Sequence, residues 1–311
     1  MQENGYQTKV YVGINKDEKT RLQSSSGGIF SVLANYILSK QGIIYGTKFN
    51  QKLEVSHERL ENKKDIELFR GSKYVQSKIR DTYKKVKEDL KDKKLVLFTG
   101  TPCQVEGLLS FLGKKYDNLY TQDIICHGVP SPKVWKKYVE YKKEKNGEYP
   151  LTVNFRKKDI LGWSNYQVDY KYSNKEEIIH YKDDIYMKIF LNNLDLRESC
   201  YNCQFKKISK QSDITLGDFW GIDKIKPRLN DEKGVSVIII NSLKGEKLFN
   251  EIKQYIKYDD AKIDDVIKYN SCVCQSTQYN LKRDKFFEDI DKYDFEHIIY
   301  EYFSNEKKTK D

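Results

Sequence analysis

The chain has 311 residues, 38% apolar and 33% charged, and its 56 Lys and Arg against 46 Asp and Glu leave a net charge of +10. That length carries one large domain or two ordinary ones around a sizeable core. No apolar run approaches the ~18 residues of a membrane span, and "MQENGYQTKVYVG" lacks the charged-then-apolar layout of a signal peptide, so a cytoplasmic protein without a membrane span is expected. The lysines are spread over helix faces such as "KKVKEDLKDKK", where acids interleave. This favours a solvated surface over nucleic-acid binding.

In chain order, "SSSGGIFSVLANYILSKQG" opens with Ser24, Ser25 and Ser26, all good N-cap types, and Ile29, Leu33 and Ile37 then recur at helical spacing up to Gly42. "IIYGTKF" reads as a strand. A helix from about Asp81 to Asp92 leads into the buried strand "LVLFT", the turn "GTPCQ" and the helix "QVEGLLSFL". "LYTQDIIC" is another strand, and Ser131 with Pro132 starts the helix "KVWKKYVEYKKEK". "TVNFRKKD", "NYQVDYKYS" and "EEIIHY" predict an antiparallel meander. A helix from Ile185 to Leu194, the strands "DITLGDF" and "VSVIII", and a helix from Gly245 follow. The last fifty residues read as helical, with Phe286, Ile290, Tyr293 and Ile298 on one side, before the charged tail "NEKKTKD".

This alternation predicts an α/β fold: a mixed, largely parallel sheet flanked by helices, an antiparallel strand insertion and a helical C-terminal segment. The expected division is 1–258, with parts 1–94 and 95–258, and a helical extension 259–311.

Six cysteines stand at 103, 126, 200, 203, 272 and 274. In a cytosolic chain of this size, spaced thiols indicate metal or redox chemistry more than disulfides. Cys103 lies just past the "LVLFT" strand and Cys126 at the end of "LYTQDII". If those strands are parallel neighbours, both thiols emerge on the sheet edge where α/β folds bind ligands. Cys200 and Cys203, in "CYNCQF", would complete a set of four from a loop folded over that edge. One close pair and two loners suit an iron–sulfur cluster, whose corners are ligated separately. Structural zinc prefers two close pairs, and unconnected core cysteines are the third reading. His127 could replace one ligand, although an ordinary loop residue is the simpler assignment. Cys272 and Cys274, one residue apart, chelate poorly on a helix and read as ordinary thiols.

Three small-residue turns suit an anion. "SSSGGIF" sets Ser26, Gly27 and Gly28 at a helix N-terminus, where free N–H groups and the dipole attract phosphate; a plainly capped and tightly packed helix is the alternative. "RGSKYVQS" has Gly71 and Ser72 in a turn, with charge from Arg70 and Lys73 and a flat face from Tyr74. "GTPCQ", with Thr101, is the third. "LGDFWG" adds Asp218 and Trp220 in a glycine-bracketed turn or a packed strand end.

The stretches "SSSGGIFSVLA", "RGSKYVQS", "VLFTGTPCQVEGL", "DIICHGVPSPKVW", "NFRKKDILGW", "CYNCQFK" and "SDITLGDFWGI", in unbroken order from about Ser24 to Glu251, together resemble the coenzyme F420 hydrogenase/dehydrogenase beta subunit family. That family includes beta subunits of archaeal F420-reducing hydrogenases and of formate dehydrogenases, and plant hydroxymethyl-chlorophyll reductases; bacterial relatives accompany polysaccharide-biosynthesis enzymes. The resemblance implies an FAD-dependent oxidoreductase with a [4Fe-4S] cluster on Cys103, Cys126, Cys200 and Cys203. It also implies flavin contacts at the glycine-rich turns. Lys73 then has two candidate roles, supporting negative charge on reduced flavin or holding a phosphate. Many relatives carry a ferredoxin-like segment with repeated CxxCxxC runs, absent here, so the expected electron partner is a separate ferredoxin-like protein or a small carrier. The other classes left open are a zinc-stabilised basic binding module and a cofactor-free scaffold in polysaccharide assembly.

Overall fold

The computed structural model describes residues 6–304; the charged tail 305–311 lies outside them. Among the described residues, eleven strands form two sheets: β1 (Lys9–Asn15), β2 (Ile43–Phe49), β3 (Val55–Leu60), β4 (Val96–Gly100), β5 (Leu119–Ile124), β6 (Thr152–Lys157), β7 (Gln167–Lys171), β8 (Glu176–His180), β9 (Ile214–Asp218), β10 (Ser236–Ile240) and β11 (Ile256–Asp260). The large sheet runs β11-β1-β10-β9-β5-β4-β2-β3. Its centre is parallel, β2 with β4, β4 with β5 and β5 with β9, while the pairings toward both edges are antiparallel. The mixed α/β architecture expected from the sequence is therefore present. So is the antiparallel insertion, as the separate sheet β6-β7-β8.

Alternation along the parallel strands feeds two cores, because successive side chains point to opposite faces. Ile44 and Leu97 face Ile29, Leu33 and Ile37 of the helix Ile29–Ser39 and Leu248 and Phe249 of the helix Leu243–Ile252. Ile43, Tyr45, Val96 and Phe98 face Val86 and Leu90 of the helix Thr82–Lys91 and Val105 and Leu108 of the helix Pro102–Leu112. With both faces covered, "LVLF" and "VIII" read as continuous apolar runs. A third, aromatic core joins the small sheet to the helices Pro132–Asn146, Ile185–Leu191, Arg283–Lys292 and Phe295–Phe303, through Trp135, Tyr138, Phe155, Tyr170, Tyr186 and Phe286.

Three local features depart from the sequence reading. The helix Ile29–Ser39 is capped by Gly28 in the left-handed region (φ 81°) with no side-chain cap, and not by the serines. β1, β3 and β11 were not expected as strands, and β11 interrupts the helical C-terminal stretch. Tyr293, placed with the buried helix face, is 47% exposed because it follows the helix Arg283–Lys292 and no longer shares its period. No described helix is long and apolar enough to cross a membrane.

Candidate functional site

A cavity of about 450 Å³ lies at the carboxyl ends of the parallel strands, the edge where open α/β sheets take ligands. The pairing Gly100↔Asp123 sets β4 and β5 side by side, so the turns after them open together. The cavity receives Ser26, Gly28, Gly71, Ser72, Lys73, Tyr74, Thr101, Asp218 and Cys126. Gly27 alone of the expected flavin residues does not line it. A Cβ there would sit 2.4 Å from the Gly13 carbonyl oxygen, and its N–H donates to Ser236 Oγ (2.9 Å). Gly27 is glycine because two backbones meet.

The two glycine turns are tied together: Ser25 Oγ accepts from the Ser72 N–H (2.7 Å) and its hydroxyl (2.9 Å). Beyond Gly28, Ile29 and Phe30 also line the cavity, so the first turn of this helix, whose N–H groups lack intrahelical partners, opens onto it. Lys73 folds back to donate to the carbonyls of Arg70 (3.1 Å) and Gly71 (3.2 Å), and burial pushes its ammonium down to about 7. Its proton is thus exchangeable near neutral pH. The Tyr74 ring stacks on Phe190 at 4.8 Å, which holds its hydroxyl at the wall.

Cys103 enters the first turn of the helix Pro102–Leu112, fixed by a capping box of Thr101 and Gln104, with the Thr101 hydroxyl 3.0 Å from its sulfur. Cys200 ends a 3₁₀ turn, Glu198–Cys200, and its sulfur accepts from the Val129 N–H at 3.4 Å. The Cys203 N–H donates to Ser276 Oγ (2.9 Å). Burial first, then Cys103, Cys200 and Cys203, push the Cys126 thiol well up, against a downward pull from Lys206. Burial likewise raises Cys200, with Cys203 and Cys103 adding to it. Cys126 and Cys200 thus each lie within electrostatic reach of the other three thiols, which oppose a negative charge on either. A group that brings positive iron removes that penalty, so the donor set fits a thiolate-ligated cluster in its chemistry. Among the described residues, no three Cys, His, Asp or Glu side chains converge as ligands of a single metal ion.

A family model describing the C-terminal region of the coenzyme F420 hydrogenase/dehydrogenase beta subunit matches residues 93–266. The chain belongs to this family. The matched stretch contains all four of these cysteines, while the glycine turns at 26–28 and 71–74 precede it. A chain in a solved structure, the xenon-derivatised F420-reducing [NiFe] hydrogenase complex from Methanosarcina barkeri, shares the fold: 18% identity, a TM-score of 0.54, with 94% of this chain and 92% of that chain covered. No curated protein matches the sequence. Membership sets the chain among redox proteins related to hydrogenase and dehydrogenase beta subunits.

Two further residues stand at the cavity, Cys272, read from the sequence as an ordinary thiol, and Arg156, to which the sequence reading gave no role. Cys272 lines the cavity with its sulfur 3.6 Å from His127 Nδ1, while His127 Nε2 meets Asn193 Oδ1 at 2.7 Å. His127 therefore has the ordinary partner expected of a loop residue. Arg156, in "NFRKKD", is 5% exposed, lines the cavity, and donates from Nη1 to Asp218 Oδ2 (2.9 Å) and the Tyr74 hydroxyl (3.2 Å). An arginine inside a strand at the centre of an aromatic-rich stretch is the signal that could have found it, since a buried arginine needs a partner.

Proposed function

We propose that this chain is an iron–sulfur flavoprotein oxidoreductase of the cytoplasm, which exchanges hydride with a soluble two-electron carrier at FAD and passes single electrons through a [4Fe-4S] cluster. One observation carries the reading: Cys126 lines the cavity, and Cys103, Cys200 and Cys203 lie near enough to disfavour a negative charge on it. A ring system in the cavity and a cluster on the thiols would meet at this one residue. The cavity volume falls within the range of small-molecule sites, about 300–1,000 Å³.

The residues that would hold FAD are those of the two tied turns, Ser26, Gly28, Gly71, Ser72 and Tyr74, with Thr101 and Asp218 across the cavity; Cys103, Cys126, Cys200 and Cys203 would hold the cluster. When bound, the flavin supplies two-electron chemistry and the cluster single-electron steps. The chain contributes binding and charge. The first-turn N–H groups after Gly28 favour an anionic group. Lys73, held by backbone carbonyls and close to neutral, can present a positive charge or release a proton at the same wall. The Val129 N–H brings a polar hydrogen to the Cys200 sulfur and the Thr101 hydroxyl stands 3.0 Å from the Cys103 sulfur, and donors to thiolate sulfur tune a cluster's potential. A ferredoxin-like protein or a small carrier is the partner for the single electrons.

The test is anaerobic purification followed by an absorption spectrum, iron and sulfide analysis, and acid release of flavin. The expected protein is brown, with about four irons per chain and bound FAD. Stoichiometric zinc, without iron or flavin after anaerobic reconstitution, overturns the reading.

A further inference from the structure

The guanidinium of Arg156 is confined in the cavity wall. Its Cζ lies 4.0 Å from the Tyr166 ring centroid and 5.4 Å from that of Trp220. These rings are themselves braced, Trp220 on Trp163 at 4.7 Å and Tyr166 on Tyr181 at 4.3 Å. Nη1 is engaged by Asp218 and Tyr74. Nε and Nη2 are buried and have no hydrogen-bond partner. A buried guanidinium with an idle edge calls for an explanation, because unpaired buried donors are rare and costly.

That edge has a defined chemistry. The N–H groups of Nε and Nη2 point side by side, at the spacing of two oxygens on one carboxylate or phosphate. The surroundings also favour an anion. Lys158, 3% exposed, donates to the Ser26 carbonyl (2.7 Å), and burial, then the charges of Arg156 and Arg21, push its ammonium down to about 7. Asp218 pairs with Arg156 and Asp231 with Arg21, so Lys158 adds a positive charge beyond these two pairs. A buried arginine already satisfied by Asp218 would use its remaining donors elsewhere in the protein; this one does not.

We infer that the Nε–Nη2 edge of Arg156 is an oxyanion site, which receives a phosphate or carboxylate of the molecule bound in the cavity. The chemistry of the site stands on the geometry. The source of the oxyanion rests on the flavoprotein reading: it is either the diphosphate of the cofactor or an acidic group of the two-electron carrier.

The experiment uses the full chain and Arg156→Lys, which keeps a charge beside Asp218 and removes the two-pronged edge. Folding is checked by circular dichroism and iron content. FAD and riboflavin binding are measured by flavin fluorescence quenching, and KM is measured for NADPH and reduced coenzyme F420. If the edge holds cofactor phosphate, FAD binding weakens roughly ten- to a hundredfold while riboflavin binding is unchanged. If it holds an acidic group of the carrier, both flavins bind as before and KM rises by a similar factor with kcat retained. Unchanged constants for all of these probes in a folded variant overturn the site. Wild-type protein that binds neither flavin overturns the flavoprotein reading instead. Pyrophosphate then decides the site: thermal stabilisation of wild type that Arg156→Lys loses supports it, and an equal or absent response in both rejects it. If Arg156→Lys does not fold, Tyr166→Leu unseats the guanidinium plane without changing charge. It should show the same loss for the same probe, and wild-type constants there reject the site.

Discussion

Gly71→Ala adds one methyl group at the cavity wall and separates backbone strain from ligand contact. Gly71 has φ 84°, and an added Cβ would meet no protein atom within 4 Å. The substitution therefore costs the left-handed conformation alone, about 1–2 kcal/mol. Gly113, the C-cap of the helix Pro102–Leu112, has φ 67° and equally open surroundings, but does not line the cavity. Gly113→Ala should thus carry the same cost. At roughly 2–4 °C per kcal/mol for a chain of this size class, both variants should melt about 2–8 °C below wild type. Gly28→Ala should melt lower still. Its φ is 81°, and the new Cβ would lie 3.2 Å from both Arg21 Cα and Asn15 Cβ, so crowding adds about 1–3 kcal/mol. An early helix residue would instead accept alanine without loss. The assay pairs a circular-dichroism melt with the flavin released by acid per folded chain. Gly71→Ala and Gly113→Ala should match in Tm when both are melted free of flavin, because a bound cofactor would itself raise Tm, and flavin occupancy should fall only in Gly71→Ala. Full occupancy in Gly71→Ala, or equal loss in Gly113→Ala, refutes the placement of the cofactor at this turn. A Gly28→Ala protein as stable as wild type refutes the strain argument.

Cys203→Ser should lose iron while Cys272→Ser retains it, read by iron analysis after anaerobic purification; equal loss in both would show that the ligand set is wrongly drawn. Asp195 is fully buried, neither of its carboxylate oxygens has a partner, and burial raises its carboxyl to about 8. An unfolded aspartate releases its proton near ~4, so between about pH 4 and 8 the folded state holds the extra proton and stability falls as pH rises. Asp195→Asn removes that titration, and its Tm relative to wild type should climb from pH 5 to pH 8; parallel pH profiles count against it. Asp184 accepts from the buried hydroxyls of Tyr138 (2.8 Å) and Tyr170 (2.9 Å) and from the Met187 N–H (2.9 Å). Asp184→Ala removes a helix cap worth about 1 kcal/mol and strands two hydroxyls at about 1 kcal/mol or more each. A loss near 3 kcal/mol is expected in urea unfolding, and a loss below about 1 kcal/mol would show that the aromatic core repairs itself.

Elements with a local signal were legible along the chain. Strands β4, β5, β9 and β10 are apolar runs bounded by turn residues, and the helices Thr82–Lys91, Pro102–Leu112 and Pro132–Asn146 carry their periodicity and their stops within a dozen residues. The edge strand β11 carried no such signal. Only Ile256 in it is buried, and its backbone pairing with β1 holds it in place. The left-handed φ of Gly28 was equally silent, since glycine is compatible with many conformations. Turn context put Cys103 and Cys126 after strand ends, and the family resemblance joined them to Cys200 and Cys203 as an expected ligand set. That β4 lies parallel beside β5, and β5 beside β9, follows from the assembled sheet alone, and it carries turns distant in the chain to one edge. The same pairing set Cys126 at a cavity wall shared with Gly71 and brought Arg156 from the other sheet against Asp218. Spacing along a chain encodes local hydrogen bonding, whereas a site assembled from several separate loops depends on sheet order and burial, which no local window contains.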